Sequence, residues 1–259
     1  MTVHPPEAHA LTTTSARLTD VVSELRDFAI TTFDVSVERL ARHLPEGIEA
    51  EPFEVHGASC ARISAVTFRN LDFHVGFAPF VRIDAPQTNF RAYVRVAGKP
   101  AVYFVGTSFG SISVAIPRFV WGLPWRRATH TIACSFDGDG QCARYGWSAA
   151  SDFGEETLEA TGTGEPAGAL EGFADATATA RILADPTIGF VTLRSGRVAT
   201  YGVDHPPLVL ERAQANAARF EWFERLDLID VGQSPSSVLV TPRSRFIVRL
   251  PPKRIELAR

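Results

Sequence analysis

Apolar and polar positions alternate along most of the chain, with two stretches of helical spacing near its start. Leu18, Val21, Val22 and Leu25 recur at the period of one helical face, which predicts a short helix over 16–26. FAITTF (28–33) reads as a strand. Asp34 or Ser36 then caps a helix through VERLARHL, and Pro45-Glu46-Gly47 stops it and turns the chain. Strand patterns follow at 48–54, 59–68, 89–96 and 101–108, the last two joined by the turn Ala97-Gly98-Lys99-Pro100. Residues 110–121 are mixed or helical, with Pro117 as a break. Segments 128–136 and 141–148 alternate around Asp137-Gly138-Asp139-Gly140, the clearest hairpin signal. Further strands are predicted at 156–163, 177–183, 188–193 and 197–202. A helix is predicted near 208–225, then a strand or strand pair over 236–249, broken near Pro242. Residues 1–15 read as a flexible N-terminal tail. No repeat or linker divides 16–259, so one domain is expected. The class is α+β, mostly antiparallel sheet with two to four helices, and closure into a barrel or cone would remove exposed edges.

With 259 residues, 45% hydrophobic and 21% charged, the chain is long enough for a core without disulfide or metal, and whole-chain disorder is excluded. It has no run of 18 apolar residues, so no membrane partner is expected. A net charge of −3 leaves no electrostatic footprint for nucleic acid. Cys60, Cys134 and Cys142 are odd in number and form no CxxC, and the N-terminus has no basic-then-apolar leader, so a cytoplasmic protein is expected. A homo-oligomer is allowed. Only Lys99 and Lys253 are lysines, and arginine stays protonated, so neutral-amine chemistry has few sources.

Several constellations are read as structural. Gly162-Thr163-Gly164 with Gly168 lacks the ending of a phosphate loop. His130, Cys134 and Cys142 lack a fourth ligand, and Asp137 with Asp139 lacks the calcium-loop spacing, so neither metal nor cofactor is expected. Ser111, Asp204 and His205 lack a nucleophile elbow, and His205 precedes Pro206-Pro207, a structural position. Two segments carry more. In QTNFRAYVR (87–95), strand parity puts Asn89, Arg91, Tyr93 and Arg95 on one face and Phe90, Ala92 and Val94 on the other. Facing a barrel interior, the polar row would bind an anionic or carbonyl group. In WGLPWRRATH (121–130), Trp121 and Trp125 bracket a turn before Arg126 and Arg127, an aromatic-walled anion site.

NFRAYVRVAGKPAVYF (89–104) and WGLPWRRA (121–128), with FDVSVERLARHLPEGIE (33–49) before them and YGVDHPPLVLERA (201–213) after, resemble the YqjF-like family of uncharacterised conserved bacterial proteins. That family is similar to the acetoacetate decarboxylase-like superfamily. The resemblance implies a closed, cone-shaped antiparallel barrel around a largely apolar cavity. It also implies a motif in which Trp-Gly-x-Pro precedes two lysines, one forming a Schiff base. Here Trp125 and Arg126 stand at those positions, and neither forms an imine. The family tends to carry Glu two residues before its Asn-x-Arg; here that residue is Gln87.

The expectation is a small-molecule-binding barrel for a carboxylate- or carbonyl-containing ligand, without Schiff-base decarboxylation. Arg91 would hold the ligand, Asn89 and Tyr93 would orient it, Trp121 and Trp125 would wall it, and Arg126 and His130 would add polar contacts. The alternative is a non-covalent lyase, isomerase or cyclase acting on a keto acid or polyketide-like substrate, with His130 or Tyr93 as acid or base. A third reading is a barrel plugged by its own side chains, among them 18 phenylalanines.

Overall fold

A computed structural model describes residues 15–256; residues 1–14 of the expected tail lie outside the described residues. Strand β1 (Val21–Val35) leads to helix α1 (Val37–Ala41), short strands β2 (Glu49–Ala50) and β3 (Phe53–Val55), and the long strands β4 (Ala58–Val75), β5 (Ile83–Val96) and β6 (Lys99–Phe109). A 3-10 turn then opens helix α2 (Ala115–Val120). Strands β7 (Arg126–Ile132), β8 (Ser135–Phe136), β9 (Cys142–Ser151) and β10 (Gly154–Pro166) follow. Helix α3 (Ala176–Thr179) runs into a π turn (Ala180–Ala184). The chain ends with β11 (Ile188–Thr192), β12 (Val198–Asp204), β13 (Glu211–Phe220), α4 (Glu221–Arg225), β14 (Ser237–Val248) and β15 (Lys253–Arg254).

The strands close on themselves twice. One ring runs β5-β6-β7-β9-β10-β13-β14-β1-β4 and back to β5. A smaller ring runs β5-β6-β11-β12-β14-β1-β4 and back, completed where Val203 and Asp204 pair with Val248 and Ile247. All pairings are antiparallel except those of β6 with β7 and with β11. The rings share β14, β1, β4, β5 and β6, so these strands are covered on both faces. Strand β1 shows this: twelve of its fifteen residues are buried and two more are half-buried. At the expected β5–β6 hairpin, Ala97 (φ 49°) and Gly98 (φ 75°) both take left-handed backbone, as a two-residue turn between twisted strands requires.

The larger ring is filled. Phe33, Phe90, Phe220 and Phe223 meet edge-to-face at 5.3–6.4 Å, and Trp147 and Tyr145 complete the plug. Each such side chain contributes roughly 1.5–3 kcal/mol of burial. The phenylalanine plug thus exists, but in one ring only.

Three expected elements differ. The 16–26 helix is instead a turn followed by β1. Val21, Val22 and Leu25 are buried because opposite faces of one strand are both covered, which imitates helical spacing. The 208–225 helix is β13 followed by the single turn α4. Its alanines favour helix, but β10 pairs with it along most of its length and tertiary contacts prevail. The 177–183 strand is α3 and the π turn, started by the Asp175 carboxylate, which accepts from the Ala178 N–H at 2.7 Å. Among the described residues no helix is long and apolar enough to cross a membrane.

Candidate functional site

The smaller ring keeps a cavity of about 110 Å³. Its position depends on a bulge in β1. Asp27 takes a positive φ of 50°, and the register with β4 shifts between Arg26 and Ala29. Before the bulge, Val21, Ser23 and Leu25 face the cavity; after it, Phe28 stays on that side while Ala29 and Phe33 enter the larger ring. The fully buried Tyr145 hydroxyl holds the bulge, donating to the Asp27 carbonyl at 2.7 Å, and the Asp27 carboxylate pairs with Arg69.

Strand β5 supplies the polar floor. Gln87, Asn89 and Arg91 line the cavity, while Phe90, Ala92 and Val94 pack into the larger ring. A directed chain of bonds crosses the floor. Ser23 donates to Asn70 Oδ1 (3.0 Å), Asn70 Nδ2 to Gln87 Oε1 (3.0 Å), and Gln87 Nε2 to Asn89 Oδ1 (2.8 Å). Thr107 Oγ1 also donates to Asn89 Oδ1 (3.2 Å). Every amide oxygen is occupied, which leaves the Asn89 Nδ2 donor without an acceptor among the described residues.

Arg91 is 8% exposed. One guanidinium nitrogen donates to the Leu183 carbonyl and to the Tyr93 hydroxyl (3.1 Å), and the group lies 5.3 Å from the Tyr93 ring centre. Its Nε is buried without an acceptor. Among the described residues, no carboxylate forms an ion pair with it. Tyr93 therefore serves Arg91 from beneath, held in turn by Ser64 at 2.8 Å.

Aromatic rings form the wall. Trp121 ends α2, and Gly122 after it accepts from the Arg194 N–H at 2.8 Å, which fixes the loop to the β11–β12 turn. Trp125 packs on Phe109 at 5.6 Å. Phe104 and Tyr201 stack at 5.5 Å over Gly189, where a Cβ would come 2.7 Å from the Phe104 ring. Burial raises the Tyr201 hydroxyl above its ordinary value, so it stays protonated.

His205 also lines the cavity, just after β12. Its ring stacks on Phe246 at 4.3 Å. Nδ1 lies 2.9 Å from the Pro206 carbonyl, which can only accept, so Nδ1 carries the proton. Asp185 Oδ1 lies 3.8 Å from Nδ1 and accepts no hydrogen bond. Burial pushes His205 down from 6.5 and Asp185 up from 3.8; the Arg91 charge lowers both. The Asp204 carboxylate instead pairs with Arg249, and Ser111 caps the turn before α2, so the three do not assemble as a triad.

Of the residues singled out by sequence, the cavity brings together Asn89, Arg91, Trp121 and Trp125, with Tyr93 beneath. Arg126 and His130 are not part of it. Arg126 begins β7, paired with Ser108. His130 lies in the larger ring, edge-on to Trp147 at 5.1 Å, and burial lowers it to about 4. On the strand across Ala149 from it stands Glu156, a buried carboxyl held by Thr88 and Ser108 and pushed up by desolvation. Reading 121–130 as one patch missed that β7 leaves the cavity after Trp125. Asn70, Ser23, His205 and Asp185 were not legible as site residues; the His-Pro-Pro run was the one available signal. Lys99 and Lys253 are exposed at the starts of β6 and β15, away from the cavity.

Comparison with known proteins bears on the fold and the family. No curated protein matches. The enduracididine biosynthesis enzyme MppR, solved with the condensation product of pyruvate and imidazole 4-carboxaldehyde, superposes with a TM-score of 0.60 at 13% identity, over 95% of this chain and 91% of that one. Acetoacetate decarboxylase from Legionella pneumophila gives 0.60 at 12% identity over 98% and 93%. An acetoacetate decarboxylase-like enzyme from Sphingomonas wittichii RW1 gives 0.58 at 12% over 97% and 100%. At such identities the likeness establishes the fold, which is acetoacetate decarboxylase-like. A model of uncharacterised conserved proteins matches residues 22–245, and this chain, as its YqjF-like segments imply, belongs to that family, DUF2071.

Proposed function

We propose that the smaller ring binds a small carboxylic acid bearing a carbonyl group, with Arg91 taking the carboxylate and Asn89 Nδ2 the carbonyl oxygen. One observation carries this: a guanidinium more than nine-tenths buried, with an unsatisfied Nε and no carboxylate within ion-pair distance among the described residues, faces a cavity. A buried charge is costly until an opposite charge meets it, and a charge-assisted bond in such surroundings is strong. The volume sets the size. Ligand pockets for drug-sized molecules run to about 300–1,000 Å³, so about 110 Å³ suits an acid of a few heavy atoms and is too small for a polyketide-like compound. That MppR was solved with pyruvate makes a 2-keto acid the first compound to try. No lysine lines the cavity, so binding is non-covalent.

Calorimetric titration with pyruvate tests the reading. Arg91→Gln removes bonds worth roughly 1.5–3 kcal/mol, so affinity should fall at least about tenfold. Equal affinity in wild type and variant would remove Arg91 from the site. Borohydride added with pyruvate should leave the intact mass unchanged; an adduct would contradict non-covalent binding.

The non-covalent enzyme reading also gains an observation. The cavity holds a titratable group, His205, beside its amides, aromatics and arginine.

A further inference from the structure

We infer that His205 is the proton-transfer group of the cavity and that the protein enolises the small keto acid anchored on Arg91. This rests on the carboxylate-binding reading and extends it from binding to chemistry. Nδ1–H is committed to the Pro206 carbonyl at 2.9 Å, so the neutral ring keeps its lone pair on Nε2, which has no partner among the described residues. The ring cannot turn freely, because Phe246 stacks against it and Pro206-Pro207 fixes the backbone that follows. Its orientation is set from outside the cavity and its basic nitrogen is left unused.

The step balances without any co-reactant. Nε2 takes a proton from the carbon next to the ligand carbonyl. The C–H electron pair becomes the C=C bond of the enolate, and the carbonyl pair moves onto oxygen, where the Asn89 Nδ2 donor meets it. The imidazolium so formed faces Asp185, whose Oδ1 at 3.8 Å from Nδ1 has no other partner. Asp185 is thus a positioning residue, and it lowers the cost of charging the ring. Return of the proton restores the keto form. In D₂O the net result is exchange of carbon-bound hydrogen for deuterium.

The charged groups acting on His205 are Asp185 from the end of the π turn, Asp204 from β12 and Arg91 from β5, with the Phe246 ring from β14 against its face. Burial outweighs the two carboxylates and places His205 below 6.5, so the base form prevails at pH 7.

The experiment follows the methyl protons of pyruvate by NMR in D₂O with the full chain. Wild type should exchange them at least about tenfold faster than buffer. His205→Gln should lower the protein-dependent rate by about a hundredfold or more while calorimetry shows pyruvate still bound. The wild-type rate should fall on acidification through one group titrating below 6.5. Bound pyruvate with no exchange above buffer would overturn the inference and leave the binding reading standing. Undiminished exchange in a folded His205→Gln, or a rate independent of pH, would also overturn it. Failure of wild type to bind pyruvate at all would remove the binding reading and this one together.

Discussion

The direction of hydrogen bonds along β5 decides what the cavity offers a ligand. Gln87 both accepts from Asn70 and donates to Asn89, which an ionised carboxylate, an acceptor only, cannot do. A glutamate there, as the related family tends to carry, would accept from both neighbours. Asn89 would then have to turn its Nδ2 toward residue 87 and its oxygen toward the cavity, beside a new negative charge. Gln87→Glu should therefore weaken pyruvate binding by about tenfold or more, since one donor is lost and a like charge is added near the carboxylate. Calorimetry checks this, and unchanged affinity would mean that Asn89 does not present a donor. Gln87 is thus a middle link in a bond relay that ends at Asn89. The role proposed for His205 likewise depends on its neighbours, and those were invisible in the linear sequence: Asp185 is twenty positions away and Arg91 more than a hundred.

At the scale of elements, the bulge at Asp27 separates the site from the plug. It changes which residues of β1 face which ring, and a single buried hydroxyl ties it down. Tyr145 donates to the Asp27 carbonyl at 2.7 Å and lies 2.7 Å from Thr67 Oγ1. Tyr145→Phe would leave these groups unsatisfied in the core, at a cost of about 1–3 kcal/mol. Urea denaturation should show a lower midpoint with an unchanged slope; an unchanged midpoint would mean the bulge does not depend on this bond. The same bulge explains why β1 was hard to read. Strands buried on one face alternate, and 141–148 was legible for that reason. Strand β5 kept its parity although both faces are covered, because one of them is polar. In β1 both faces are mainly apolar and the parity shifts midway, so Val21, Val22 and Leu25 matched a helical period. Strand β13 was hidden differently: ERAQANAARF has the composition of a helix, and its pairing with β10 is a fact of the fold and not of the segment.

For the whole molecule, two closed rings built on one shared sheet divide the work. The larger ring buries Phe33, Phe90, Phe220 and Phe223 and supplies rigidity. The smaller one keeps open space around an unpaired arginine. The filled-barrel reading describes the larger ring, and the binding-barrel reading is proposed for the smaller one. The family resemblance conveyed the fold and the absence of the lysine pair. It did not convey the double closure, which follows from long-range pairings such as Val203 with Val248. In the proposed reading Arg91 holds a small carboxylate inside the smaller ring. A crystal structure of the protein grown with pyruvate puts this to the test. The carboxylate is expected within hydrogen-bond distance of the Arg91 guanidinium and the keto oxygen on Asn89 Nδ2. Clear density for pyruvate elsewhere, with the Arg91 cavity closed by its own side chains, would contradict it.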